Sequence, residues 1–206
     1  AQCFRVTPYS HAEELFLDLQ QIIPPPEAAD YMIGISSKDV EETAAQGTRQ
    51  RAHELRLQFW AVALERLKQD HIALYANVSP SRDHWLNAGS GVRSCPFSMV
   101  FSHREARVEL SLSRFEAFEN KRIFDQLYER RNEIEEAFGQ SLEWRRMDDK
   151  KACRIFLAKT FDGYDKEQWP EMAQWLSDHL KALIQAIQTP LRQAGQSLGL
   201  PEEGQD

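Results

Sequence analysis

The side chains best suited to chemistry in this sequence are cations, aromatic rings and amides gathered in two short segments. The first segment, residues 82–93, surrounds a glycine-rich turn and contributes Arg82, His84, Trp85, Asn87 and Arg93. Cations and amides bind phosphate and sugar while aromatic rings stack on bases, so this combination predicts nucleic-acid contact. From these residues alone, an ordinary loop held in place by a buried Trp85 is the slightly favoured alternative. Gly89-Ser90-Gly91 lacks the lysine of a P-loop, which favours a tight turn over a phosphate-binding loop.

The second segment, residues 145–154, contains five cations in ten residues, namely Arg145, Arg146, Lys150, Lys151 and Arg154. Three nearby carboxylates, Glu143, Asp148 and Asp149, partly neutralise it, so the segment is weakly cationic. We predict that both segments contact DNA or a partner protein, because clustered cations bind phosphate or acidic surfaces. For the second segment, a charged sheet edge that resists aggregation is an equal alternative.

Catalytic and metal-binding patterns are weak in this sequence. The six histidines include no pair four residues apart and no cysteine at metal-ligand spacing. Two motifs match the loose Asp/Glu-x-Lys spacing of metal-dependent nucleases, Glu119-Asn120-Lys121 and Asp149-Lys150-Lys151. The first would open a helix and the second would lie in a turn, so we predict no catalytic residue, no metal and no cofactor. A divergent metal nuclease using Glu109, Asp149 and Lys151 is the least favoured alternative.

Hydrophobic periodicity predicts the elements that would position these segments. Apolar residues at spacings of three and four predict three helices, over residues 48–68, 120–138 and 169–191. Alternating apolar residues predict two β-hairpins, with strands over residues 96–102, 106–114, 142–147 and 152–159. Hairpins that alternate with helices predict an α+β fold, a mainly antiparallel sheet of two hairpins packed with three helices. Each strand would be half-buried, with its polar side chains in solvent.

The first residues predict a separate N-terminal extension, partly helical and partly irregular. After an extended start, Ser10-His11-Ala12-Glu13 fits a capping box that would open a short helix of about ten residues. Pro24-Pro25-Pro26 would end this helix, because proline lacks the amide hydrogen of the helical ladder. The following residues are polar and irregular, with one short strand over residues 31–35.

Three regions result from this division of the chain. Residues 1–46 would be an extension, a linker or the remnant of a preceding domain, and residues 47–194 the α+β domain. Residues 195–206 would be a flexible acidic tail. A chain that begins at Ala1 without Met is consistent with a fragment or a processed protein.

The net charge of −7 is unevenly distributed along the chain. Residues 1–45 carry −6, residues 46–160 carry +4 and residues 161–206 carry −5. An acidic total argues against an indiscriminate nucleic-acid coat protein, whereas the basic middle permits a more selective contact.

The cysteines and the apolar runs indicate the compartment. Three cysteines without metal spacing argue against a disulfide scaffold and favour the reducing cytoplasm. The apolar runs are far shorter than the roughly 20 residues of a membrane span, and the N-terminus lacks a signal-peptide pattern. We therefore predict a cytoplasmic chain without membrane contact.

A series of motifs, in order, resembles one bacterial family. They lie at residues 78–91 (VSPSRDHWLNAGSG), 106–110 (ARVEL), 119–127 (ENKRIFDQL), 138–139 (FG), 142–144 (LEW), 148–155 (DDKKACRI) and 169–171 (WPE). Across residues 50–192 the chain resembles the domain-of-unknown-function family DUF4268. Members of that family often stand C-terminal to restriction- or repair-like nuclease domains. The resemblance implies a DNA-processing setting, but no activity of the domain itself.

Two functional hypotheses follow. The leading one is a non-catalytic accessory domain of a DNA-processing or phage-defence protein, which contacts nucleic acid or an adjacent nuclease domain or subunit. The other is a protein-interaction module whose surface is the last helix. In that case a homodimer could form through Trp169, Trp175 and Leu191, because one core would not absorb them all.

Overall fold

The computed structural model describes residues 3–11, 14–23 and 46–199 and divides into two units between residues 45 and 46. In the first unit, β1 (Cys3–His11) and β2 (Glu14–Ile23) form an antiparallel hairpin. The predicted helix after Ser10 is therefore wrong. Leu15, Leu17 and Leu19 recur at every second position, which is the spacing of a β-strand, and β2 pairs with β1 along its length. The predicted strand at residues 31–35 lies outside the described residues.

The second unit is an α+β fold, as the sequence predicts. Its described residues form four helices: α1 (Gln46–Gln69), α2 (Ala117–Glu129), α3 (Arg131–Phe138) and α4 (Trp169–Ser197). They also form five strands: β3 (Trp85–Ala88), β4 (Phe97–Phe101), β5 (Glu105–Leu112), β6 (Glu143–Arg145) and β7 (Cys153–Thr160). These strands make one antiparallel sheet in the order β3-β4-β5-β7-β6.

Three elements differ from the predicted ones. β3 joins the two predicted hairpins as a fifth strand. The predicted helix over residues 120–138 is two helices, because Arg130 leaves the helical conformation at φ −101°, ψ 17°. The last helix continues past Leu191 to Ser197, since buried Ala194 and Gly195 extend its apolar stripe. Gly195 lies against Val92, where an added Cβ would be 3.3 Å from both methyl groups.

The four helices pack on one face of the sheet and form the hydrophobic core with it. Val108, Leu110 and Leu112 of β5 point into this core and are fully buried. At one end of the core the ring of Phe59 stacks on Phe101, with centroids 4.1 Å apart. We call the opposite side of the sheet the polar face, because its side chains are largely polar or charged.

A glycine-to-alanine pair tests this packing. An added Cβ at Gly163 would overlap the carbonyl oxygen of Ser102 and lie 2.9 Å from the ring of Phe101. Gly163→Ala is therefore expected to lower the free energy of unfolding by about 3 kcal/mol, measured by urea denaturation. Gly139→Ala is the control, because that position has φ +91° and no atom within 4 Å of an added Cβ. Its expected cost is about 1 kcal/mol, so equal losses would contradict the close approach.

Candidate nucleic-acid interface

The structure distributes the ten predicted contact residues over separate regions. Trp85 and Asn87 lie on β3, whereas Arg145 and Arg154 lie on β6 and β7. The strand register places all four on the polar face. However, β3 and β6 are the two edges of the sheet, so four strand spacings, about 19 Å, separate them.

The first segment is anchored to the helices. Trp60 Nε1 of α1 donates a hydrogen bond to the carbonyl of Asp83 at 2.8 Å, and Arg56 Nη1 donates to the carbonyl of Arg82 at 3.4 Å. These two bonds fix the backbone that leads into β3. The side chain of Arg82 is exposed on this anchored loop.

The glycine-rich turn is a packed structural turn, as the sequence favours. The hydroxyl of Ser90 is buried and accepts a hydrogen bond from the amide of Val92 at 3.2 Å. Gly91 has φ +90°, and an added Cβ would lie 3.1 Å from Arg192 Nε of α4. Gln188 Nε2 also donates to the carbonyl of Ser90, at 3.4 Å. The glycine-rich turn therefore packs against α4.

His84 is a neutral interior residue. Only 6% of its surface is exposed, and its ring meets that of Trp85 edge-on at 4.5 Å. Burial, together with the positive charges of Arg56 and Arg107, lowers the pKa of His84 to about 4. At neutral pH the imidazole therefore supplies no positive charge for a phosphate.

The polar face contains a buried ionic network that the sequence analysis did not predict. Glu109 is fully buried and accepts a hydrogen bond from the Ser111 hydroxyl at 2.7 Å. Arg107 Nε lies 3.3 Å from Glu109 Oε2, and its guanidinium lies 5.0 Å from the ring centroid of Phe156. The predicted solvent exposure of the polar side chains of β5 is therefore wrong. Charge pairing and hydrogen bonds make this burial affordable, since an isolated buried carboxylate would be very costly.

The same network bears on the alternative of a metal nuclease. Glu109 pairs across the sheet with Phe156, and Lys151 lies five residues before Phe156 in the chain. Cys153, the first residue of β7, is already about 10 Å from Phe156 along the strand, and Lys151 lies beyond that end in the turn. The structure therefore does not bring Glu109 together with Asp149 and Lys151. Among residues 3–11, 14–23 and 46–199, no group of three or more His, Cys, Asp or Glu is placed to hold a metal ion.

Carboxylates neutralise part of the second segment. Arg146 forms ion pairs with Asp125 of α2, at 2.8 Å, and with Asp148. Its hydrogen bonds lower the pKa of Asp125, which stays ionised. Arg145 Nη2 lies 2.9 Å from Glu143 Oε2 on the same strand. The side chains of Lys150 and Lys151, by contrast, are exposed.

Two adjacent residues of α2 hold the turn between β6 and β7. The ammonium of Lys121 donates to the carbonyls of Arg146, Met147 and Ala152, at 2.5, 2.8 and 3.1 Å. Asn120, fully buried, donates to the carbonyl of Lys151 at 3.1 Å. We call Asn120 and Lys121 the α2 clamp.

The clamp also fixes the segment that precedes α2. Asn120 Oδ1 accepts from the amide of Arg114 at 2.8 Å, and Asn120 Nδ2 donates to the Arg114 carbonyl at 3.0 Å. Glu119 accepts from the Arg114 guanidinium at 2.9 Å. The Glu-x-Lys spacing at Glu119-Asn120-Lys121 thus has a structural role in this fold.

Beside the clamp lies an exposed surface that sequence reasoning missed. The side chains of Phe115 and Phe118 are 81% and 59% exposed. Lys151 Nζ lies 4.5 Å from the centroid of the Phe115 ring. Phe118, Lys121 and Arg122 share one side of α2, so Phe118 and Arg122 flank the turn that Lys121 holds. We define the Phe115 patch as Phe115, Phe118, Arg122, Lys150 and Lys151.

A signal for this patch existed in the sequence. Phe118 is five residues before Ile123, so it falls out of phase with the buried stripe of Ile123, Phe124 and Leu127. Phe115 precedes the helix altogether. Periodicity therefore marked Phe118 as outside the core face, although it did not show that either ring lies near Lys151.

The last helix places its large side chains mostly in the core. Trp169 and Leu191 are buried, and Trp169 Nε1 donates to the carbonyl of Gly163 at 2.8 Å. Trp175 is half-buried and stacks on His179, with centroids 4.5 Å apart. One core thus absorbs two of the three residues, and the predicted homodimer through them stays a prediction.

Comparison with known proteins decides the family. The family model described as domain of unknown function (DUF4268) matches residues 55–191. The chain belongs to this family. The match runs from α1 to α4 and so includes the sheet of the second unit, the α2 clamp and the Phe115 patch. No curated protein and no solved structure matches the chain. In the part of the chain that the structure describes, no helix is both long and apolar enough to cross a membrane.

The α2 clamp predicts a stability difference between neighbouring residues. Lys121→Met would leave three carbonyls without the ammonium that they share, and we expect the free energy of unfolding to fall by about 2–3 kcal/mol. Arg122→Met is the matched control, because Arg122 is exposed on the same helix. Urea denaturation measures both losses, and hydrogen exchange of the amides at residues 147–152 should accelerate only in the Lys121 variant. Equal losses would contradict the clamp.

The lowered pKa of His84 predicts a dependence of stability on pH. Protonation of His84 favours the unfolded chain, because this histidine has an ordinary pKa near 6.5 when unfolded and a pKa of about 4 when folded. The contribution of His84 to stability is therefore complete above about pH 6.5 and is lost as pH falls to about 4. Over this range the free energy of unfolding should fall by about 3 kcal/mol more in the wild type than in His84→Gln. Identical pH profiles would contradict the burial of a neutral His84.

Proposed function

We propose that the second unit is a non-catalytic accessory domain that contacts nucleic acid in a DNA-processing or phage-defence system. The observation that carries this proposal is the Phe115 patch, in which exposed cations flank exposed aromatic rings. Cations bind phosphate and aromatic rings bind bases, and many nucleic-acid surfaces combine both. The family resemblance supports the setting by association only.

Local charge supports a polyanionic ligand. Residues 93, 114–125 and 146–151 contain seven cations and five carboxylates, in a chain whose total charge is −7. Two of the cations, Arg114 and Arg146, are in ion pairs with carboxylates of these same segments. Lys150 and Lys151 form no ion pair with any carboxylate of the described residues. The region is thus locally basic within an acidic protein, which favours selective over indiscriminate contact.

The rigidity of the region supports a binding role as well. The α2 clamp holds the backbone on both sides of the Phe115 patch, through Arg114 and through the turn at residues 146–152. Arg114 also donates from Nη1 to the carbonyl of Arg93 at 2.8 Å, which fixes a third segment at this place. Groups held in position before a ligand arrives lose less conformational entropy when it binds.

Four of the ten predicted contact residues, Arg93, Arg146, Lys150 and Lys151, belong to this region. The other six lie on the polar face of the sheet or in the segment that leads into β3. Cys95 and Cys153 are buried thiols rather than a disulfide, which supports the proposed cytoplasmic location. An acidic surface of a neighbouring nuclease domain or subunit could meet the same cations, so binding to nucleic acid must be measured directly.

The salt dependence of binding tests this function. Affinity for fluorescein-labelled DNA, measured by anisotropy, should fall as salt rises from about 50 to 200 mM, because the release of counterions from DNA that drives binding is less favourable at higher salt. Lys150→Gln combined with Lys151→Gln should weaken binding and reduce the slope of log K against log salt by about two. Lys68→Gln, an exposed lysine of α1, is the control and should change neither value. Absence of binding at low salt, or an unchanged slope in the double variant, would overturn the proposal.

A further inference from the structure

We infer that the Phe115 patch binds single-stranded nucleic acid, with unpaired bases stacked on Phe115 and Phe118. This inference rests on the proposed function and adds the class of ligand. It depends on the exposed rings, an observation that is independent of the local charge.

The exposure of the two rings has no explanation within the folded domain. Burial of one phenylalanine contributes roughly 2–3 kcal/mol, yet Phe115 and Phe118 remain 81% and 59% exposed. Neither ring contacts another aromatic ring of the described residues. Most of their apolar surface is therefore available to a ligand.

The surroundings of the rings favour a nucleic acid over an apolar protein surface. Lys150, Lys151 and Arg122 are exposed around them, and Lys151 contacts the face of Phe115. Lysine is depleted in the cores of protein–protein interfaces, where desolvation of its ammonium is costly. A strand of nucleic acid instead offers flat bases for the rings and phosphates, spaced along the backbone, for the ammonium groups.

Bases of a single strand can stack on Phe115 and Phe118, whereas the paired bases of a regular duplex cannot. The faces of bases in a duplex are covered by their neighbours in the stack, so a side chain reaches only their edges. Unpaired bases can leave the stack and lie on an aromatic ring, which contributes about 1–3 kcal/mol for each base. Duplex DNA could contact the cations of the patch but would leave both rings unused.

The backbone holds the rings at a boundary between loop and helix. Phe115 precedes the N-cap Glu116, which is extended at φ −92°, ψ 126°, and Phe118 lies in the first turn of α2. Two hydrogen bonds between the Asn120 side chain and the backbone of Arg114, one in each direction, fix the segment that leads into α2. The two rings are therefore carried by a rigid segment rather than by a free loop.

The test compares ligands and variants by fluorescence anisotropy. Single-stranded DNA of about 16 nucleotides should bind the full chain at least tenfold more tightly than the duplex of the same sequence. Phe115→Ala and Phe118→Ala should each weaken single-strand binding by about 5- to 100-fold and leave duplex binding unchanged. Phe115→Tyr should retain affinity, because tyrosine also stacks. Tyr128→Ala, an aromatic that is 47% exposed elsewhere on α2, is the matched control and should have no effect.

A second readout reports on stacking itself. A 2-aminopurine base in the single strand should lose fluorescence on binding to the wild type and keep it with Phe115→Ala. Equal affinity for both DNA forms, with no effect of either alanine, would overturn this inference and leave the proposed function in place. Absence of binding to either form would overturn both. Equal urea midpoints for wild type and variants would show that affinity changes do not come from unfolding.

Discussion

The hydrogen bonds of Asn120 and Lys121 are the interaction on which the functional surface depends. The Lys121 ammonium and the Asn120 amide hold the backbone of the turn between β6 and β7. The Asn120 amide also holds the backbone of Arg114, in the segment that leads into α2. That turn lies outside the regular sheet pairing, which ends at Arg145 and resumes at Cys153. Its shape is therefore set by a helix rather than by its own strands, and the two lysines within it are placed by the same contacts.

The central strand β5 is buried on both sides of the sheet by two different kinds of interaction. On the helix side, β5 contributes leucine and valine to an apolar core. On the polar face, Arg107, Glu109 and Ser111 are buried as a set of mutual contacts. A carboxylate in such a place is stable only while its partners remain, so these side chains serve the architecture.

Periodicity predicted the larger elements because burial on one side leaves a clear pattern. It located α1 and the hairpin of β4 and β5, where a single stripe faces the core. It failed for β2, since Leu15, Phe16 and Leu19 fit one side of a helix as well as part of a strand. It also failed for Glu109, because a polar residue alternating with apolar ones predicts solvent exposure. The position of Phe115 beside Lys151 depends on contacts 36 residues apart in the chain, which no local pattern contains.

The long final helix has a consequence for how the domain acquires its structure. α4 contributes Leu176, Leu180, Leu183, Ile187 and Leu191 to the core and also packs against the turn at residues 90–92. All five strands of the sheet precede it in the chain. During synthesis the strands are therefore made before the helix that completes the cover of their apolar side. The core closes only when the last helix has been made, so the nascent domain passes through a stage with exposed apolar surface that invites protection by chaperones.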